Sequence, residues 1–152
     1  MDERELLEEY VRDAKLMQLS TVCSDGTPSV CTVWYLPAFR PDRLYFVSRT
    51  DRLHSNNIRR NAAVAGAILD NPPTELGLTA RGVSFTGRAQ QLAGTGIDDV
   101  AQAFVARWPN AAGVVNAMPE GASRMFEIAV GQWVLFDEEN FRGGPRREID
   151  GV

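Results

Sequence analysis

Side chains able to bind an anion crowd into one stretch of the chain, residues 48–60. It holds three hydroxyls, one imidazole and four guanidinium groups: Ser48, Thr50 and Ser55; His54; and Arg49, Arg52, Arg59 and Arg60. A phosphate close to a dianion requires such hydroxyls, N–H donors and fixed positive charges where water is partly excluded. Taken alone, however, this composition is more typical of a solvated connection whose arginines pair with acids.

His54 is the only histidine of the chain. We expect the two cysteines, Cys23 and Cys31, to lie far from it in the fold, so we predict no standard zinc site. Ser48, Asp51 and His54 have the residue types of a hydrolytic triad, but they crowd into seven residues of one loop, and triads are recognised by geometry across a fold. A histidine on the surface or capping a helix remains an alternative to one that binds phosphate.

The residue pattern predicts six strands and up to four helical segments around this stretch. The predicted strands are 16–23, 29–36, 43–48, 62–69, 81–92 and 124–136, and the predicted helices are 2–15, 53–60, 95–108 and a short turn within 110–118. Thr95 is expected to cap the third helix. Residues 62–69 read as a strand buried on both faces and closed by Asn71-Pro72-Pro73. Gly82 and Gly87 indicate a bulge or sharp bend, and Gly131 is a possible break.

Most connections between these strands are short enough for antiparallel neighbours. We therefore predict a mainly β (α+β) fold, a closed or partly closed six-stranded antiparallel barrel with flanking helices, formed by residues 1–152 as one domain.

Composition narrows the function classes. The net charge is −4, which argues against a general nucleic-acid binder. The apolar runs are too short to span a bilayer, and the acidic start lacks the features of a secretory signal, so we predict a cytoplasmic protein. If Asp25-Gly26 forms the tight turn of a hairpin, Cys23 and Cys31 lie on opposite sheet faces, and we expect both to be reduced thiols.

Three strings, in their order and spacing, resemble the pyridoxamine 5'-phosphate oxidase-like family of FMN-binding split barrels. They are LSTVCSDGTPSVCTVWY (19–35), RLYFVSRTDRLHSNNIRRNAAVAG (43–66) and RGVSFTGRAQQL (81–92). The RWP that ends the third helix, followed by RMFEI, is similar to the family's closing section. The resemblance implies a six-stranded split barrel that forms a homodimer with one flavin at each of two equivalent interface sites.

The same resemblance implies which residues contact the cofactor. The second strand's main chain lies along the flavin ring, the end of the third strand and the following loop hold the ribityl phosphate, and the start of the fifth strand lies nearby. The matching residues are Thr32, Val33 and Trp34; Val47, Ser48, Arg49, Arg52, Leu53 and His54; and Arg81, Gly82 and Val83. The resemblance also implies that the partner subunit closes the site through Trp133 or the C-terminal arginines. From the sequence, Trp133 could equally lie in the core, and the arginines are better explained as part of a solvated tail.

The chain departs from the oxidase itself in this loop. Arg52-Leu53-His54 stands where the oxidase has Ser-Arg-Lys, and its substrate-binding C-terminal motif is not intact. The resemblance therefore favours an FMN-dependent oxidoreductase acting on an unknown small molecule over the oxidase's own reaction. The alternatives are a deazaflavin-dependent reductase and a non-enzymatic carrier or sensor of a flavin or tetrapyrrole.

Overall fold

A computed structural model describes residues 1–70 and 73–152 of the chain. Its helices are α1 (Glu3–Asp13), α2 (Leu53–Arg60), α3 (Asp98–Arg107) and α4 (Ala112–Asn116), with a 3₁₀ turn over Pro109–Ala111. Its strands are β1 (Leu16–Val22), β2 (Pro28–Trp34), β3 (Leu36–Ala38), β4 (Arg43–Arg49), β5 (Ala63–Ile68), β6 (Arg81–Gln91), β7 (Ser123–Asp137) and β8 (Arg146–Asp150). No helix in these two ranges is long and apolar enough to cross a membrane.

The strands form one antiparallel sheet in the order β2-β1-β5-β6-β7-β4-β3, with β8 pairing β7 beyond the end of β4. The chain runs from β2 to β3 through the single residue Tyr35, although the two strands lie at opposite ends of this order. The sheet therefore curls back on itself and leaves a split between β2 and β4. This confirms the predicted α+β split barrel, whereas the count of six strands was too low.

The two additional strands were missed for different reasons. The bend at Tyr35 separates β3 from what the sequence presents as one strand. β8 comes from the charged tail after Asp137, where the pattern indicated no strand. Its alternation of charged residues around Ile149 is typical of an exposed edge.

Apolar side chains alternate toward the interior of the barrel. Met17 and Leu19 are buried with Phe46, Phe126 and the other inward residues, and the rings of Phe46 and Phe126 stack 5.0 Å apart. The prediction that residues 62–69 are buried on both faces was wrong. In β5, Val64 and Ile68 are buried while Ala63 and Ala67 are exposed, because no helix covers the outer face there.

The turn between β1 and β2 differs from the predicted one by a residue. Cys31 lies opposite Leu19, and the Cys23 N–H donates to the carbonyl of Thr27. Directly paired residues share a sheet face, so Cys23 and Cys31 lie on the same face and not on opposite faces as predicted. Both are free thiols, and the four residues separating their positions along the strand keep the sulfurs apart.

The glycine predictions had mixed outcomes. The register of β6 against β7 shifts between Thr86 and Gly87, where Gly131 is the extra, unpaired residue of β7. This confirms an irregularity at Gly87, and β7 continues as one strand through Gly131. Asn71 and Pro72 lie outside the described residues.

α3 begins at Asp98 with no side-chain cap, so the predicted cap at Thr95 was wrong. Gly96 has a φ of 78°, a left-handed conformation that the start of a right-handed helix cannot include.

Helices α3 and α4 cover one part of the sheet's outer face. Phe104, Val115 and Met125 form a second buried cluster there, against β3, β4 and β7. The outer face of β1 and β2 has no such cover. Val30 and Trp34 on β2 are 64% and 53% exposed.

Candidate functional site

The split in the barrel brings together two groups of predicted site residues. β3 pairs with β4 only as far as Tyr45, so the rest of β4, including Val47, Ser48 and Arg49, has a free edge on that side among the described residues. β2, which carries Thr32, Val33 and Trp34, is paired only with β1 in the described chain and contacts β4 across the split. The predicted ring-binding strand and phosphate-binding loop therefore border one opening.

Ser48 and His54 form a hydrogen-bonded pair at the end of this opening. The Ser48 Oγ and the His54 Nε2 are 2.7 Å apart. Burial of the half-buried imidazole, and then the positive charge of Arg52, lower the pKa of His54 below its ordinary 6.5. The imidazole is accordingly neutral at pH 7, and in the tautomer with an unprotonated Nε2 it accepts a hydrogen bond from the Ser48 hydroxyl.

The N-terminus of α2 is suited to an anion. α1 begins with a complete capping box between Asp2 and Glu5, whereas α2 begins at Arg52 with no side-chain cap. The first N–H groups of a helix lack helical partners and carry a partial positive charge, and a cation beside them adds to it. The Arg52 side chain is exposed and makes no hydrogen bond or ion pair with another side chain in the described part of the chain. Donors and positive charge therefore converge here, beside the exposed carboxylate of Asp51, which pairs with Arg49.

Other polar groups of residues 48–60 hold the loop in shape. The Thr50 and Ser55 hydroxyls donate to the carbonyls of Ala122 and Arg49, at 3.2 and 2.7 Å. Arg59 donates to the carbonyl of Thr50 at 2.7 Å, and Arg60 to that of Val22 at 3.0 Å. The sequence made these four side chains candidates for binding phosphate, but in the structure they form hydrogen bonds within the chain.

Arg49 is only partly committed. Its guanidinium lies 3.1 Å from the carboxylate of Asp51, and both side chains are exposed. An exposed pair of this kind exchanges readily with water, so Arg49 remains available to a stronger anion.

The start of β6 lies far from this opening within one chain. Arg81 pairs with Asp137 of β7, whereas Ser48 pairs with Arg124 of the same strand, thirteen positions away, which is about 40 Å of strand. Val83 is buried and faces the core, and Arg81 lies over the ring of Tyr10 at 5.0 Å. Contact of Arg81 and Gly82 with a cofactor at the split stays a prediction that needs a second copy of the chain.

Trp133 occupies the core position that the sequence left open. It is 0% exposed, and its Nε1 donates to the Asp42 Oδ2 at 2.8 Å. Of the tail arginines, Arg147 donates to Glu3 at 3.2 Å and Arg146 pairs with Glu148, so these two are engaged on the tail's own surface.

A buried ionic cluster around Asp42 was missed by sequence reasoning. Asp42 is 0% exposed and accepts hydrogen bonds from the Arg4 guanidinium, the Trp133 indole and the main-chain N–H groups of Arg40 and Val152. Burial acts to raise the pKa of Asp42, but the hydrogen bonds from Arg4 and Trp133 outweigh it, and the pKa lies below 3.8. Glu8 joins the cluster through Arg4 and Arg40. The cluster ties α1 to the barrel and has a structural role.

Trp108 was also missed as a site residue. Its ring lies 4.9 Å from that of Trp34, at an interplanar angle of 65°, on the rim of the split. The only signal in the sequence was a tryptophan directly before the proline that ends α3, which core packing explains equally well.

The chain matches a family model described as pyridoxamine 5'-phosphate oxidase over residues 4–136. No curated protein matches it by sequence. By structure it is similar to the heme storage protein HutZ from Vibrio cholerae, with a TM-score of 0.73 and 16% identity over 90% of this chain and 95% of that one.

Two further solved structures are similar. A conserved hypothetical protein from Mycobacterium tuberculosis has a TM-score of 0.72 and 21% identity, covering 100% of this chain and 94% of that one. An FAD-binding protein from Mesorhizobium loti has a TM-score of 0.63 and 18% identity, covering 88% of this chain and 92% of that one. At these identities the likeness concerns the fold.

Proposed function

The chain belongs to the pyridoxamine 5'-phosphate oxidase family, and on that premise we propose that it binds FMN in the split between β2 and β4. As a flavin-dependent oxidoreductase it would act on a small organic molecule. One observation carries the proposal: the uncapped N-terminus of α2, with Arg52 and the Ser48–His54 pair beside it, offers donors and positive charge, while the neighbouring Asp51 carboxylate is taken up by Arg49 in an exposed pair.

These residues fit the two ends of the cofactor. Ser48, Arg49, Arg52 and the N-terminal N–H groups of α2 suit the phosphate. The main chain of Thr32, Val33 and Trp34 borders the same split and suits the edge of a planar ring. When bound, FMN supplies the transfer of hydride or single electrons, and the protein binds and orients it. A nearby positive charge stabilises the reduced, anionic ring.

The Ser48–His54 pair gives the site a proton-linked element. In the neutral pair, the Ser48 hydrogen is donated to the imidazole. A phosphate dianion next to the pair favours the imidazolium form of His54, whose Nε2–H then donates to the Ser48 oxygen. The Ser48 hydrogen is released to bond the phosphate, so one proton taken up at His54 reverses the hydrogen bond within the pair and directs one hydrogen bond, from Ser48, toward the ligand.

We propose that the protein works as a homodimer. The exposed Leu16 and Val30 lie on the outer face of β1 and β2 beside the split, where a two-fold partner would bury them. A second copy also offers the only route by which Arg81 and Gly82 reach the cofactor. Small-angle scattering that reports a compact monomer at micromolar concentration would contradict this arrangement.

The absorption spectrum and native mass of freshly purified protein, followed by FMN titration, test the function. We expect a yellow dimer carrying one FMN per subunit, with NAD(P)H or dithionite bleaching the flavin bands. Arg52→Ala is the informative variant, and Lys15→Ala, which removes a single exposed cation outside the site, is its matched control. A colourless protein that does not change the spectrum of added FMN refutes the proposal.

A deazaflavin or a tetrapyrrole is the second candidate ligand. The first suits the same ring and phosphate contacts and adds a longer anionic tail that exposed arginines would accept. The second is raised by HutZ, which is named for heme storage, and by the neutral imidazole of His54, which has the protonation state of a heme ligand. Titration with each ligand separates them, because deazaflavin absorbs without a flavin's long-wavelength band and heme gives a Soret band.

A further inference from the structure

We propose that Trp108 is a positioning residue that holds Trp34 in the orientation in which it stacks on the cofactor ring. This inference rests on the proposed function. It begins from an unusual exposure: Trp34 ends β2 at the rim of the split with half of its surface open to solvent. A large aromatic side chain at the mouth of a cleft presents a flat face to a planar ligand.

Trp108 limits how Trp34 can turn. The two rings meet edge to face with their centroids 4.9 Å apart. This geometry is favourable for aromatic pairs, and Trp34 stays 53% exposed beside Trp108. Without Trp108, an exposed Trp34 has several side-chain rotamers available and would lose them on binding the ring.

Trp108 is itself held by a dense set of hydrogen bonds. Its Nε1 donates to the carbonyl of Tyr35 at 2.8 Å, and Arg107 donates to the same carbonyl at 2.9 Å. Arg107 also donates to the carbonyls of Arg12 and Ala14, at 3.0 and 2.6 Å, and its guanidinium lies 4.9 Å from the centroid of the Trp108 ring. The end of α3 thus fixes the bend that follows Trp34 and the ring that contacts it.

Measurement of the fluorescence of bound FMN tests the assignment, since a stacked indole quenches flavin emission by electron transfer. Trp108→Leu removes the edge-to-face contact, Trp108→Phe keeps an aromatic ring there, and Trp34→Leu removes the stacking residue. Val114→Ala, an exposed apolar position on α4, is the control. Near-UV circular dichroism of each apo-protein checks that the barrel is folded.

We expect bound FMN to be strongly quenched in the wild type, in Val114→Ala and in Trp108→Phe, and least quenched in Trp34→Leu. Trp108→Leu should fall between these, with FMN affinity reduced about twofold to tenfold and affinity for inorganic phosphate unchanged.

Three negative results have two different meanings. If the wild type binds FMN and Trp108→Leu quenches it equally, the positioning role is wrong while the FMN site stands. The same holds if Trp108→Phe loses as much quenching as Trp34→Leu, because Trp108 would then contact the ring itself. If the wild type does not bind FMN, the proposed function fails and this inference fails with it.

Discussion

Arginine meets negative charge in two regions of the molecule, and they are built in opposite ways. Around Asp42, the chain supplies both signs: a fully buried carboxylate is surrounded by Arg4, an indole N–H and two main-chain N–H groups. At the N-terminus of α2, Arg52 stands beside unpaired helix N–H groups, and the nearby Asp51 carboxylate is exposed and paired with Arg49. The first region is complete in one chain, whereas the second has the features of the proposed anion site.

Burial and the presence of an internal carboxylate partner distinguish a structural arginine from one proposed to bind a ligand, whereas residue type alone does not. Burial around Asp42 removes water, so each missing partner there leaves an uncompensated charge. At the N-terminus of α2 the arginine side chains are solvated, so they destabilise the fold little when no ligand is bound. A binding site must be stable in that ligand-free state. Substitutions in the two regions should therefore affect different measurements.

The largest effect is expected from Asp42→Asn. Loss of the buried charge leaves Arg4 with only Glu8 as a carboxylate partner among the described residues and should lower the free energy of unfolding by about 3–5 kcal/mol, measured by urea denaturation. The control is Arg146→Ala, which breaks an exposed pair with Glu148 and should cost less than about 1 kcal/mol. Equal losses in the two variants would remove the distinction between the regions.

The same carboxylate predicts an acid sensitivity. The folded-state pKa of Asp42 lies below 3.8, so its stabilisation is fully present above the unfolded value and is lost as the pH falls through the folded one. Urea midpoints between pH 5 and pH 2 should drop less steeply in Asp42→Asn than in the wild type. Parallel pH profiles would show that Asp42 does not contribute.

Arg52→Ala should act on ligand affinity and leave stability almost unchanged. Loss of one charge-assisted hydrogen bond to phosphate costs about 1.5–3 kcal/mol, so FMN should bind roughly 10- to 150-fold more weakly by fluorescence titration. The unfolding free energy should stay level or rise slightly, because a cation leaves a helix N-terminus. Unfolding of this variant at ordinary temperature would place Arg52 with the structural arginines.

A smaller change is expected at His54. Its pKa, lowered in the ligand-free protein by burial and by Arg52, should move upward when FMN or inorganic phosphate binds. Imidazole proton shifts followed by NMR between pH 5 and pH 8 measure this directly. Below pH 6.5, His54 binds a proton more readily in the unfolded chain than in the folded, ligand-free protein. The free energy of unfolding of the ligand-free protein should therefore decline at such pH values, and bound FMN should offset that decline. An unchanged or lower pKa in the complex excludes the proton-linked element.

The smallest effect belongs to Asp51→Asn. Removing this exposed carboxylate frees Arg49 for the ligand and should raise phosphate affinity by no more than a few-fold, since exposed pairs contribute little. Isothermal titration at low and high salt should show the gain mainly at low salt. A loss of phosphate affinity would instead show that Asp51 favours ligand binding.

How far the sequence predicted this molecule depends on whether the signal is local. α2 and the long strand β7 carry their periodicity within a few residues, and both were placed within a residue of their observed bounds. The β1–β2 register failed by one position because a three-residue loop and a two-residue turn share the same Asp-Gly signal. β3 is only three residues long, too short to show a period.

The sequence predicted where the site lies in the fold but not which side chains contact one another there. Its location followed from the order of three strings along the chain. The use of each side chain did not follow, because Thr50, Arg59 and Arg60 bond to Ala122, Gln91 and Val22, which are distant in sequence. Asp42 follows a proline in what reads as an ordinary turn, and its partners come from residues 4, 40, 133 and 152.

The position of β7 also sets the order in which the protein can assemble on the ribosome. β6 lies along one edge of this strand, and β4 and β8 lie along the other. Until residues 123–137 have emerged, β4 and β6 each present an unpaired edge to solvent or to a neighbouring nascent chain. Vectorial synthesis therefore delays barrel formation until β7 has been made, and any chaperone contact should concentrate in the interval before it appears.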